Sequence, residues 1–440
     1  ELKTLLGSYF IARNLLVNFT EFKLNAQILS GVKELGYETA TPIQEKAIPS
    51  ILAGLDVVGT AQTGTGKTAA FALPLLQRLM DGPRGQLRGL ILAPTRELAE
   101  QIRQSIDRLA IRTGLRCTAI YGGANLVKQY QILRRGVDIV IACPGRLLDH
   151  INRGNINLTQ VEVLVLDEAD HMFDLGFREP IYKIIRHLPK KRQNLLFSAT
   201  MSKEIRVLAD EILHKPVSIK IGEIAPANTV TQTLYPVSEA LKTDLLEVIL
   251  QINAVKSALI FTRTKHRAKR LAEHLSHLGY SATSFQGNLS QSKRQIALGK
   301  FRDGKLKILV ATDIAARGID IDHISHVINF DMPNTAEDYT HRIGRTGRAA
   351  KLGAAFSLIT HGDRRQIRSI ERLLNKRLEE CFVPDFDYKA KTNAPSELTT
   401  ADRPRQFSYS NQSSSHRKPR PRANYQKSYT AKHKRKTSDQ

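Results

Sequence analysis

Short apolar runs alternate with longer amphipathic stretches along most of this chain. The runs "DVVGTA", "GLILAPT", "VDIVIACP", "VEVLVLDEA" and "QNLLFSAT" come first, and after residue 225 the pattern restarts with "SALIFTRT", "SATSFQGN", "KILVATD", "HVINFD" and "AAFSLIT". Runs that are apolar at every position, not at alternate ones, predict strands buried on both faces. Between them, apolar residues recur at helical spacing, as over 97–110 and 265–278. Fully apolar strands separated by amphipathic helices predict an α/β fold of parallel sheets covered on both sides. A last amphipathic helix is expected in "RRQIRSIERLLNKRLEE".

The stretch "GEIAPANTV" at 222–230 carries Gly, Pro and Asn and reads as a link between two α/β units. The expected organisation is an N-terminal extension at 1–18, a first domain at 19–221, the linker, a second domain at 231–385, and a disordered basic C-terminal tail at 386–440. From 391 onward there is no Ile, Val or Met, too little apolar surface to fold alone. Phe407, Tyr409, Tyr425 and Tyr429 are set among basic residues there, a mix suited to stacking on bases while contacting phosphates, or to a merely solubilising tail.

Charge narrows the partners. The formal net charge is +24, of which residues 391–440 hold +9 and the rest +15. An excess in both parts favours nucleic acid, then an anionic membrane, over a chain simply rich in Lys and Arg. Cys117, Cys143 and Cys381 are well separated without a CxxC, which fits a reducing compartment and neither a disulfide framework nor a zinc site. No run of 18 apolar residues predicts a membrane span, and "LLGSYFIARNLLV" is interrupted by Arg13 and Asn14 and does not read as a signal peptide. The expected location is cytoplasmic.

Two motifs carry the chemistry. "AQTGTGKT" (61–68) lies between a strand and a helix, with Ala61 where the strict phosphate-loop pattern has Gly. Gln62, Thr63, Gly64, Thr65 and Gly66 can wrap backbone N–H groups around a polyphosphate at the helix N-terminus. Lys67 can reach the β- and γ-phosphates, and the Thr68 hydroxyl can ligate Mg²⁺. "VLVLDEADHMF" (163–173) then runs four apolar residues into Asp167, Glu168 and Asp170. Like charges this close are costly to bury unless a cation relieves them. In a phosphate-loop ATPase an aspartate ending another strand helps hold Mg²⁺, the place Asp167 occupies. Glu168 can then orient, or take a proton from, the water attacking the γ-phosphate, and Asp170 can tie the loop to a neighbour. The plainer alternative is a set of acids meeting a helix N-terminus.

These residues, D-E-A-D at 167–170, resemble the motif that names the DEAD-box RNA helicases, and the resemblance runs from about Phe19 to Phe382 with the motifs in the family's order. It implies two tandem RecA-like parallel-sheet domains, ATP and Mg²⁺ as cofactors, and RNA as partner. Gln44 in "TPIQ", with Phe19 and Tyr37, resembles the adenine-recognising motif, where a side-chain amide can pair with N6 and N7. Pro94, Thr95, Arg96, Gly122, Gly123, Pro144, Gly145 and Arg146 resemble the first domain's RNA-backbone contacts, and Gln291, Arg294, Thr312 and Gly318 those of the second. Ser198, Ala199 and Thr200 resemble the motif that couples the DEAD loop to unwinding, and Asp320 the ribose contact. If "HRIGRTGR" is helical, His341, Arg345 and Arg348 share one face, and two arginines of the second domain can meet the γ-phosphate held by the first.

Three positions depart from the family pattern. Cys143 stands where Thr is usual before "PGR", removing a hydroxyl. Ala40 replaces the usual Pro before "TPIQ", which should loosen the local backbone. Gln286 replaces a common His. The implied activity is ATP-dependent unwinding of short RNA duplexes or remodelling of RNA–protein complexes, by a monomer, in ribosome assembly or RNA turnover. An ATP-gated RNA clamp or annealing chaperone, and a DNA translocase on the same fold, remain alternatives at this stage.

Overall fold

The computed structural model describes residues 17–62, 64–221, 230–253, 255–316, 324–347 and 353–390. Thr63, Gly318, Asp320, Arg348, residues 222–229 of the expected linker and the tail from 391 lie outside the described residues. Strands β1 (Val57–Thr60), β2 (Gly89–Leu92), β3 (Cys117–Ile120), β4 (Ile139–Ala142), β5 (Val163–Leu166), β6 (Gln193–Ser198) and β7 (Val217–Lys220) form one sheet in the order β3-β4-β2-β5-β6-β1-β7. Strands β8 (Val230–Pro236), β9 (Ala258–Phe261), β10 (Ala282–Phe285), β11 (Ile308–Ala311), β12 (His326–Asn329), β13 (Gly353–Ile359) and β14 (Glu379–Glu380) form a second, in the order β10-β11-β9-β12-β13-β8-β14. Every pairing in both sheets is parallel.

Parallel strands need crossovers, and the helices that supply them cover both sheet faces. In the first lobe Ile91, Val163 and Val165 join one buried cluster with Phe71 and Phe197, while Leu90, Leu92, Leu164 and Leu166 join the other. Alternate side chains of one strand thus serve opposite cores, which is why these runs are apolar throughout. The helices foreseen over 97–110 and 265–278 are Arg96–Leu109 and Lys265–His277. Each begins after a strand at a threonine: the hydroxyl of Thr95 accepts from Leu98 N at 3.2 Å, and that of Thr264 from Arg267 N at 3.2 Å.

Some elements escaped the sequence pattern. Strands β3, β7 and β14 lie at or toward sheet edges and are short or half polar, and β8 starts at Val230, the last residue of the expected linker. The expected helix over "RRQIRSIERLLNKRLEE" stops at Leu374. Asn375 takes a left-handed conformation (φ 48°), the Glu371 carboxylate accepts from Leu378 N at 3.0 Å, and Glu379–Glu380 then pairs with β8. Folded structure also passes the expected boundary at 385, since Phe386 and Tyr388 pack on the second lobe's core and the Tyr388 hydroxyl accepts from Val383 N at 2.8 Å. Among the described residues no helix is long and apolar enough to cross a membrane.

Buried Asp56 fixes the end of the first sheet: it accepts from Asn194 N at 2.8 Å, His214 N at 2.8 Å and Asn194 Nδ2 at 3.2 Å. Asp56→Ala leaves three donors unsatisfied and should lower unfolding free energy by about 3 kcal/mol or more in urea titration; an unchanged midpoint would refute this account of the strand end.

Candidate active site

In both sheets the motif residues follow strands at their carboxyl ends, the edge where open α/β sheets bind ligands. The phosphate loop follows β1, Pro94-Thr95-Arg96 follows β2, Gly122-Gly123 follows β3, Pro144-Gly145-Arg146 follows β4, Asp167 follows β5 and Ser198 ends β6. Thr312 follows β11 in the second lobe.

Lys67 is the first residue of the helix Lys67–Met80; it is buried, and its Nζ donates to Ala61 O at 2.8 Å. Gly66 caps that helix at φ 91°, and a Cβ there would overlap the Gln44 amide nitrogen. Gln44 accepts from Thr41 N at 2.9 Å and donates to Gly66 O at 3.0 Å, while the Thr41 hydroxyl donates to Thr65 O at 2.8 Å. Thr65 closes the loop by donating to Gln62 O at 2.7 Å. The "TPIQ" segment and the phosphate loop are therefore one hydrogen-bonded unit. The sequence reading gave the Gln44 amide to adenine; here both of its ends are held by protein. Beside it, Phe19 is buried and stacks against the more exposed Tyr37, ring centroids 6.1 Å apart. Ala40 does not loosen this region, because its N–H donates to Val17 O at 2.8 Å, a bond that proline lacks.

The first two acids of the run are buried as the sequence pattern demands, and Asp170 is half-buried. Asp167 is 2% exposed and Glu168 5%. Burial pushes Asp167 up to about 7 against the pull of the Lys67 ammonium. Its Oδ1 accepts from Glu168 N at 3.0 Å. Burial also pushes Glu168 upward, but the hydrogen bond from His171, with the fields of His171, Lys67 and Arg345, holds it below the usual carboxylate range. Glu168 has φ 50° and ψ 53°, a left-handed conformation that costs a non-glycine residue about 1–2 kcal/mol. Asp170 turns the other way. Its Oδ2 accepts from Ala199 N (3.1 Å), Thr200 N (2.8 Å) and the Thr200 hydroxyl (2.9 Å), while its own N–H donates to the buried Ser198 hydroxyl at 3.3 Å. The structure thus brings Asp170 together with all three residues of "SAT".

The residues present fit Mg²⁺. A buried carboxylate raised by desolvation gains from a divalent partner, and Thr68, next to Lys67 in the first turn of its helix, carries a second hard oxygen donor. Among the described residues no three His, Cys, Asp or Glu side chains cluster as a self-sufficient metal cage. One carboxylate and one hydroxyl suit a small cation that keeps water and phosphate oxygens.

A cleft of about 580 Å³ is lined by Pro94, Thr95, Arg96, Gly122, Gly145 and Arg146 of the first lobe and Gly287, Arg294 and Ala315 of the second. Gly123, at φ 78°, leaves room for the Arg96 guanidinium where a Cβ would overlap it. The Arg146 guanidinium donates to Ala124 O and Gln129 Oε1, each at 3.1 Å. Across the lobes, Arg294 Nε meets Glu97 Oε1 at 2.7 Å, both side chains buried, and Gln291 Nε2 reaches the same oxygen at 3.2 Å. Arg294 also donates to Gln286 O and lies 4.2 Å from the Phe285 ring centre. The sequence reading gave Gln291 and Arg294 to RNA; both side chains are directed onto Glu97 instead, and Gln286 serves as backbone acceptor for one of them. Cys143 is buried and makes no side-chain cap at the helix Pro144–Asn152.

The one-face argument for "HRIGRTGR" does not hold. The helix Ala336–Ile343 ends at Gly344, where Arg345 N and Thr346 N bond Arg342 O and Ile343 O in tight turns. His341 is partly buried on the helix, and buried Arg345 lies beyond its end, where its charge reaches Glu168. Arg342, which the sequence reading passed over, holds Asp313 with two hydrogen bonds of 2.5 and 2.7 Å and donates to Asn329 Oδ1 and Asp331 O. Glu97, Thr41 and His171 were missed as well. Thr41 preceding Pro42 and Gln44 was a readable capping signal; Glu97 looked like an ordinary first-turn acid.

Comparison with known proteins places this geometry. Residues 41–208 match the model of the DEAD/DEAH box helicase family and residues 241–350 that of the helicase conserved C-terminal domain. The chain is 43% identical over 373 residues to ATP-dependent RNA helicase CshA of Listeria monocytogenes, covering 84% of this chain and 72% of that one. It is 42% identical over 374 residues to DEAD-box ATP-dependent RNA helicase CshA of Geobacillus kaustophilus, covering 84% and 80%. The structure of S. cerevisiae Dbp5 bound to RNA and ADP BeF3 superposes with a TM-score of 0.74 at 29% identity, covering 84% of this chain and 97% of that one.

Gly66→Ala tests the hydrogen-bonded unit directly. The added methyl displaces Gln44 and strains the cap, so affinity for a fluorescent ATP analogue should fall tenfold or more, on the order of 1.4 kcal/mol, in equilibrium titration. Undiminished affinity would contradict the coupling of "TPIQ" to the loop.

Proposed function

We propose a working cycle for this chain, which belongs to the DEAD-box ATP-dependent RNA helicases and is an RNA-dependent ATPase. The observation that carries the cycle is the buried acid pair ending β5, beside a buried phosphate-loop lysine and tied through Asp170 to "SAT", with Lys67 and Arg345 close enough for their charges to act on Glu168. ATP lies on the phosphate loop, with its base beside Phe19, Tyr37 and Gln44, and Lys67 leaves Ala61 O for the β- and γ-phosphates. Thr68 and Asp167 hold Mg²⁺, which when bound offsets phosphate charge. Glu168 orients the attacking water and takes its proton. Arg345 stabilises charge on the transferring phosphoryl group, a contribution on the order of 10³-fold for such arginines.

RNA lies along the cleft that both lobes line. Arg96 and Arg146 meet its phosphates, with the helix-capping Thr95 and the glycines of both turns allowing close approach. Glu97, Gln291 and Arg294 act as a latch between lobes. Closure bends one strand so that its partner cannot stay paired, and hydrolysis, signalled from Asp170 to "SAT", reopens the cleft. Mostly backbone contacts imply little sequence preference. The basic charge of the whole chain supports RNA as its partner; a place in ribosome assembly or RNA turnover, in the cytoplasm and as a monomer, completes the proposal.

Strand displacement of a short RNA duplex tests the cycle, and displacement should require ATP. Lys67→Ala should abolish both ATP binding and displacement, while retained nucleotide affinity would contradict its role. Glu97→Gln leaves Arg294 buried without its counter-ion. RNA affinity in the presence of a non-hydrolysed ATP analogue should fall by about 30-fold or more, while affinity without nucleotide stays within about twofold. Equal losses in both states would mean that Glu97 supports the fold and not closure.

A further inference from the structure

The acidic motif is followed by His171, to which neither the sequence reading nor the proposed cycle assigns a task. It sits in the short helix Ala169–Asp174 with its side chain 7% exposed. Its Nδ1 lies 3.2 Å from Glu168 Oε2. An ionised carboxylate can only accept, so Nδ1 carries the proton. The other ring nitrogen, Nε2, is buried without a hydrogen-bond partner. A proton on Nε2 would be a buried donor lacking an acceptor, so Nδ1–H is the donor that this geometry uses.

A histidine that served only to fill the core would gain nothing from this arrangement, since it leaves one nitrogen unsatisfied and commits the other to a functional acid. Glu168 needs such an anchor. Its backbone is left-handed, so its side chain leaves the strand end in a direction that the preceding β5 does not control. The bond to His171 occupies Oε2 and leaves Oε1 as the oxygen available to water.

We propose that His171 is a positioning residue for ATP hydrolysis, holding one oxygen of Glu168 through Nδ1–H so that the other faces the attacking water. The proposal rests on the reading of Glu168 as the group that handles that water, and the experiment separates the two. His171→Leu fills the space without a donor. His171→Asn keeps an N–H donor at the distance of Nδ1 from the backbone. RNA-stimulated ATPase would be measured for both, for Glu168→Gln, and for the double variant of Glu168→Gln with His171→Leu, with the urea midpoint of each.

His171→Leu should lower kcat about tenfold or more with the KM for ATP within twofold, and His171→Asn should recover to within about threefold of wild type. In the Glu168→Gln background, His171→Leu should add nothing, because its partner's function is already gone. The proposal is overturned by an unchanged kcat in a folded His171→Leu, by equal losses in Asn and Leu that track their urea midpoints, or by additive effects in the double variant. A wild-type rate in Glu168→Gln alone would instead overturn the reading of Glu168 itself.

Discussion

Two buried carboxylates, Asp167 and Glu168, with the half-buried Asp170 two positions on, set the constraint at the end of β5 around which the rest of this molecule is arranged. Like charges brought close together away from water repel one another, so each must be compensated from elsewhere. Asp167 feels Lys67 from the loop after β1, Glu168 is held by His171 and by the field of Arg345 from the second lobe, and Asp170 is satisfied by Ala199 and Thr200 at the end of β6. Each compensator arrives on a different element. The acidic run is therefore a hub at which the phosphate loop, the second lobe and the "SAT" turn meet.

The second lobe is prepared for this contact by an ion pair of its own, buried at Arg342 and partly exposed at Asp313. Arg342 clamps Asp313 and bonds the carbonyl that follows β12, which fixes the end of the helix from which Arg345 departs. At the other side of the cleft, Glu97 and Arg294 bring oppositely charged groups together where both are nearly dry. Breaking one partner of such a pair is far more costly than forming it is favourable, so the pair is weak evidence of net stability.

Much of this was legible in the sequence, for a physical reason in each case. Strands buried on both faces must be apolar throughout, so β2, β4, β5, β9 and β11 announce themselves. Edge strands answer to one neighbour only and tolerate Ser, Lys and Glu, so β7 and β14 do not. The phosphate loop and the DEAD run are local in sequence because backbone geometry demands particular residues at fixed spacing. Contacts between lobes have no such local signature. Glu97 looks like any acid in a first helical turn, and its partner Arg294 lies 197 residues away. The failure at "HRIGRTGR" is instructive in the same way: helical spacing placed three cations on one face, but Gly344 ends the helix and the chain positions Arg345 by tight turns instead.

The central claim is that the acidic hub is completed only when both lobes engage, so that nucleic acid bound along the cleft between them controls chemistry at the acids that end β5. Steady-state ATPase rate at fixed salt, without nucleic acid and then with single-stranded RNA or DNA of equal sequence, tests it most directly. Salt must be fixed because binding by so basic a chain depends steeply on it. The account predicts that RNA raises kcat about tenfold or more and that DNA, lacking the 2′-hydroxyl, does not. A rate that is already maximal without nucleic acid, or is raised equally by DNA, would contradict it.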